Sequence, residues 1–182
     1  TDSATYIPDI VVSGADYAHT ELDLLPDAAR THNTRYWESR VMAPSMFIAF
    51  LGVSKKLPEL EHHNLYFGED WDAHFDTIFK RPSWPEEPCF YLSCISKTDE
   101  DAAPVGGENL FLLVPVAAGL EDTDEQRERY FDHVLGHLER VTGTTIRDSI
   151  VVKRIYSHRD FTADYHALKG TALGIAHTLR QT

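Results

Sequence analysis

Two spacings of apolar residues alternate along this chain. Residues 46–53 are apolar except for Gly52, which predicts a strand covered on both faces. Residues 62–67 alternate instead, with His63, Leu65 and Phe67 on one side and His62, Asn64 and Tyr66 on the other. The short link between these runs predicts that they pair as a hairpin. Residues 10–12 read as a short buried strand, 89–95 and 109–116 as two more, and 150–156 as the last. Pro115 cannot donate to a ladder, so its strand is expected to be an edge or to end in a bulge.

Helical spacing fills the gaps. Asp16 is placed to cap a helix reaching about residue 25, with Ala18, Leu22 and Leu25 on one face, and Pro26 ends it. Residues 26–44 are polar and loop-rich, with one helical turn around Tyr36 and Trp37. Asp70 caps a second helix whose Trp71, Phe75, Ile78 and Phe79 form one stripe. The run PSWPEEP at 82–88 is a rigid loop. Thr123 and Gln126 make a capping box. The helix behind it has Tyr130, Phe131, Val134, Leu135, Leu138 and Val141 as its buried stripe, and Gly143 stops it. Ser157 with Asp160 starts a last helix. No internal repeat is visible. The elements predict an α+β fold, a mixed, largely antiparallel sheet of about five strands with helices packed mainly on one face.

A length of 182 residues fits one domain with a substantial core. The net charge of −12 repels phosphates and argues against nucleic acid as a partner. It fits ordinary solubility and a salt-adapted, halophilic setting alike. Cys89 and Cys94 fall on opposite faces of one strand, which argues against a disulfide between them and fits a reducing cytoplasm. There is no signal-peptide pattern and no apolar run of about 18 residues. Shallow peripheral contact with the inner face of a membrane stays open.

Candidate chemistry is sparse. His133 and His137 have the i, i+4 spacing of paired metal ligands, but Val134 stands where a zinc protease needs Glu, and no third ligand is evident. A solvated helix edge is the expectation, and no metal site is assigned. His62 and His63 are expected on opposite faces, so they would not chelate one ion. Ser13 in SGAD lacks the G-x-S-x-G of a nucleophile elbow. The acidic run at 121–128 is a helix N-terminus. Gly170 and Gly174 indicate close packing rather than a phosphate cradle. No G-x-G-x-x-G loop occurs anywhere. From the residues alone, the chain is an α+β domain with an aromatic-rich interior and no self-contained catalytic constellation.

Six segments in order carry a resemblance: PDIVVSGADY, APSMFIAFLGV, LEHHNLYFGEDW, KTDEDAAP, ENLFLLVPVA and GTALGIAHTLRQT. From about residue 9 to residue 182 the chain resembles the bacterial-type phytoene desaturases, carotenoid-processing flavoenzymes of the amine-oxidase type. The resemblance covers the substrate-side portion of that family. It implies FAD as hydride acceptor and a long C40 carotenoid precursor as substrate, held in an apolar tunnel. Phe47, Phe50, Tyr66, Phe67 and Phe111, with His63, are the expected lining. Ser13 and Ala15 are expected near the flavin nucleotide, where residues 1–16 and 170–182 would join a FAD-binding domain that this chain lacks. Alone, the chain is not expected to bind FAD or turn over substrate. A flavin-dependent carotenoid isomerase and a non-catalytic lipid- or carotenoid-binding module remain as alternatives.

Overall fold

The computed structural model describes residues 4–68 and 70–181. Five strands form one antiparallel sheet: β1 (Ser45–Val53), β2 (His63–Tyr66), β3 (Phe90–Ser93), β4 (Glu108–Val116) and β5 (Ile150–Tyr156). Their order is β2-β3-β4-β1-β5. The helices are α1 (Tyr17–His19), which runs on into a π turn at Thr20–Leu24, α2 (Thr34–Glu38), α3 (Trp71–Phe79), α4 (Asp124–Thr142) and α5 (His158–Tyr165). The α+β expectation is met, and every strand pairing is antiparallel.

The long pair β1–β4 is the spine of the sheet, in unbroken register from Ser45–Val116 to Val53–Glu108. Alternation then sorts side chains to two faces. Phe47, Ala49, Leu51 and Val53 of β1 and Leu110, Leu112, Val114 and Val116 of β4 are buried on one face. Helix α4 covers it with Tyr130, Phe131, Val134, Leu135 and Leu138. Each such apolar side chain stabilises the fold by roughly 1.5–3 kcal/mol on burial. The Thr123 hydroxyl caps α4 by accepting from the Gln126 N–H at 3.1 Å, and Gly143 closes it at φ +68°.

Several expectations are corrected. Residues 10–12 form no strand: Ile10, Val11 and Val12 are exposed and touch no sheet. β2 pairs with β3, not β1, because β4 and β5 already occupy both edges of β1. Strand β1 is not fully covered on both faces, since Phe50 is 40% exposed. Strand β4 is interior and has no bulge. Pro115 is tolerated because β4 has run past β3 there, whose last pair is Tyr91 with Leu113. Three of the four residues of the α3 stripe, Trp71, Phe75 and Phe79, are exposed, while His74 and Ile78 are buried. Val141 is exposed, and His137 takes its place in the α4 stripe. His137 is therefore not on a solvated edge. Its ring packs against Tyr66 and Phe90. Gly174 lies in no helix, but Gly170 ends a 3-10 turn at Leu168–Gly170 and packs closely on His158 at the start of α5.

Candidate functional site

The face of the sheet turned away from α4 is apolar and largely open. Cross-strand register aligns His63, Ser93, Phe111 and Phe50 in one row, and Leu65, Tyr91, Leu113 and Ile48 in the next. A groove of about 790 Å³ lies on this face, walled by Phe50, Phe111, Ile95, Val105 and Val152. The Phe50 and Phe111 rings meet at its floor with centroids 5.3 Å apart. A second, smaller depression of about 190 Å³ lies toward α3, between Leu65, Phe67, Trp71, Ile78 and Leu113.

Helix α3 reaches this face because Asp70 starts it there, its carboxylate accepting from the Ala73 N–H at 3.0 Å. His74 fastens the helix to the sheet. Its Nδ1 accepts from the Cys89 N–H at 2.8 Å, so Nε2 carries the proton and donates to the Pro115 carbonyl at 2.7 Å. Burial lowers the His74 pKa, in keeping with the neutral ring that these two bonds require. Phe67 packs edge-on against Trp71 at 6.0 Å.

Polar groups on the face are His63, Tyr91, Ser93 and Asn109, with Arg154 and Tyr156 of β5 in register beside Phe50 and Ile48. The Tyr91 hydroxyl and His63 Nδ1 are 2.7 Å apart. Next to them His62 Nδ1 bonds the Thr98 hydroxyl at 2.6 Å. The His62 and His63 rings lie 4.1 Å apart, against the expectation of opposite faces. The strand begins only at His63, so His62 is free of strand alternation. Among the described residues, no group of three His, Cys, Asp or Glu side chains is arranged to hold a metal.

Phe50, Phe67, Phe111 and His63 are thus brought to one face. Phe47 is not, and Tyr66 borders only the smaller depression. Phe47 has no exposed surface and packs between Trp84 and Tyr130 in the core. The Tyr66 ring turns to the α4 side, stacked on Phe90 at 5.1 Å and against His137 at 4.7 Å. Alternation separates Phe47 from Phe50, an odd number of residues apart, while Tyr66 lies on the core side of β2 and still borders the smaller depression with Phe67. Sequence reasoning missed Tyr91 and Val152 as lining residues. The odd-numbered alternation at Tyr91 and Ser93 was the available signal.

Ser13 and Ala15 lie elsewhere. The Ser13 hydroxyl bonds that of Thr20 at 2.7 Å. Ala15 borders a separate opening of about 640 Å³, with Asp16, Tyr17, Asp164, Tyr165 and Leu173. Two carboxylates and no basic side chain other than His166 face this opening. That donor set does not suit a pyrophosphate, and no Gly-rich turn leads into a helix here. These residues do not by themselves fit a dinucleotide cofactor.

No family model matches the chain. A carotenoid 3,4-desaturase from Haloarcula japonica is 50% identical over 175 residues, which are 96% of this chain and 35% of the relative. A 4,4'-diaponeurosporene oxygenase from Staphylococcus aureus is 31% identical over 135 residues, 73% of this chain and 27% of the relative. The chain is a homologue of one part of the carotenoid desaturases. It spans about a quarter to a third of the length of these curated relatives.

In this carotenoid desaturase homologue the groove rim is braced by a buried ionic cluster. Glu108 opens β4 and is almost fully enclosed. It accepts from the Ser96 hydroxyl and from Lys97 Nζ at 2.9 Å, and Cys94 Sγ lies 3.5 Å away. Burial alone pushes the Glu108 pKa up, but the Ser96 and Lys97 hydrogen bonds outweigh it and leave it lowered. The carboxylate is therefore ionised and holds the 94–97 turn against β4. Burial is also the largest influence on Cys94, whose thiol is raised and stays protonated. No helix among the described residues is long and apolar enough to cross a membrane.

Proposed function

We propose that this chain is the substrate-binding part of a FAD-dependent carotenoid desaturase. The observation that carries the reading is an open, apolar sheet face with Phe50 and Phe111 at its floor, in a chain half identical to a carotenoid 3,4-desaturase. A hydrocarbon polyene offers almost no hydrogen-bonding groups. A site for it needs apolar area, and the groove walls are mostly apolar. In this reading Phe50, Phe67 and Phe111 contact the polyene, and His63 acts through Tyr91. Phe47 and Tyr66 support the sheet from behind.

FAD belongs to the intact enzyme and is held by sequence outside this chain. Ser13 and Ala15 mark the side of the domain that would face it. The chain's own contribution is to bind the polyene, orient it and exclude water from it. The whole enzyme's reaction is the introduction of a double bond into a long carotenoid precursor, with phytoene as the reference substrate. Peripheral contact with the inner membrane surface is consistent with exposed Phe67, Trp71, Phe75 and Phe79. The net charge of −12 supports a salt-adapted cytoplasm.

The test is turnover of phytoene by the full-length polypeptide that contains this chain, with products separated by chromatography. A product with longer-wavelength absorption and a pair of hydrogens fewer supports desaturation. A product carrying added oxygen, as the name of the second relative would lead one to expect, sinks it. Unchanged composition with altered geometry means an isomerase. Phe50→Ala and Phe111→Ala are each expected to raise KM about tenfold, the loss of one well-packed apolar contact.

A further inference from the structure

The two depressions on the open sheet face share one wall residue. Tyr91 lines both the larger groove at Phe50 and Phe111 and the smaller one at Leu65, Phe67 and Trp71. It stands in the middle of the face: β3 places it directly between Leu65 of β2 and Leu113 of β4. Its hydroxyl nevertheless reaches His63, which lies opposite Ser93, two residues further along β3. The phenol therefore leans along the strand, over the buried Ser93, toward the Phe111 ring at 6.2 Å. The His63 and Tyr91 rings are near parallel, with centroids 6.0 Å apart. His63 thus holds the ring down in one orientation, at a point where free rotation would otherwise be available to a half-buried side chain.

We propose that Tyr91, positioned by His63, is the partition that sets how long an apolar chain the groove accepts. This rests on the reading of the face as a polyene site. With the phenol tethered across the row, a linear ligand lying on Phe50 and Phe111 meets the ring edge. It cannot continue into the depression under Trp71. Without the ring, the two depressions join into a single track crossing β2, β3, β4 and β1. Three interstrand spacings make that track about 14 Å wide from strand to strand. The ring therefore discriminates by length, favouring a shorter polyene over a longer one. Its discrimination is steric, so it has the size expected for an apolar pocket wall, about tenfold or more for removal of a bulky group. His63 is a positioning residue: it does not reach the ligand in this arrangement and acts by fixing the phenol.

The experiment compares phytoene with the shorter diapophytoene in the full-length polypeptide. It measures kcat/KM for each, together with quenching of tryptophan fluorescence on polyene binding. Tyr91→Ala is expected to raise the phytoene-to-diapophytoene ratio about tenfold. Tyr91→Phe, which keeps the ring and the fold and loses only the tether, is expected to raise it about threefold. His63→Ala should match Tyr91→Phe, since both release the same bond. A purely structural role would lower both substrates together and leave the ratio alone. A ratio unchanged in Tyr91→Phe and Tyr91→Ala, while the wild type binds and converts both polyenes, overturns the partition and leaves the polyene site standing. Failure of the wild type to bind either polyene overturns the site and the partition with it.

Discussion

Phe50 and Phe111 face each other directly across the β1–β4 ladder, on the side of the sheet that α4 leaves open. Phe47, on the same strand as Phe50, lies on the other side with no exposed surface. One strand therefore carries an aromatic that holds the fold and another that is free to hold a ligand. The two should separate in stability measurements. Phe47→Ala is expected to cost about 3–5 kcal/mol in urea denaturation, as a core cavity does. Phe50→Ala, half-exposed at the start, is expected to cost about 1 kcal/mol. Equal losses at the two positions would mean that the open face is part of the core.

Glu108 supplies an acid-sensitive joint at the groove rim. Its folded pKa is lowered, so its contribution to stability is complete above the ordinary carboxylate range and is lost as pH falls through the lowered value. Glu108→Ala is expected to cost about 3 kcal/mol at neutral pH, because Lys97 is left without its carboxylate. It should also flatten the acid limb of a melting-temperature profile against pH. An acid limb identical to that of the parent chain would count against the joint.

A second ionic knot ties α4 to α5. Arg127 bonds both oxygens of Asp122, at 2.6 and 2.7 Å, and reaches Asp160 at 2.6 Å. Asp160 also accepts from the Ser157 N–H to complete the capping box of α5. Hydrogen bonds to Asp122 raise the Arg127 pKa above its usual value, and Asp122 is lowered despite its burial. Arg127→Met is expected to destabilise by about 3–5 kcal/mol. The double variant Arg127→Met with Asp122→Asn should recover part of that loss. Additive losses in the double-mutant cycle would mean that the pair is not coupled.

Gly170 sits at φ +61°, and a Cβ there would lie 2.8 Å from backbone and side-chain atoms of His158. Gly170→Ala combines a left-handed backbone with a clash that no flexible side chain can relieve. It is expected to lower stability by about 2 kcal/mol or more, read from thermal unfolding. Gly136→Ala, where a Cβ meets nothing within 4 Å, should instead be neutral or slightly stabilising in its helix.

Local pattern alone determined much of this protein. The caps at Asp16, Asp70, Thr123 and Ser157, the stop at Gly143 and the apolar runs of β1 and β4 were all legible, because each depends on residues within a few positions of one another. The quoted segments also carried the family resemblance. What the pattern could not decide was partnership. The proximity of 46–53 to 62–67 in the chain favoured a hairpin, yet β4 and β5 compete for the two edges of β1 and win by longer register. Residues 10–12 are apolar enough for a strand but pair with none and stay exposed, although β2 and β5 each keep an open outer edge. Alternation told which residues share a face, but not which face a helix would cover. Only the docking of α4 on the Phe47 side buried that aromatic and left Phe50, Phe111 and Tyr91 open. The reason is physical: strand alternation is a property of a single chain segment, whereas burial depends on which distant segment arrives to exclude the water.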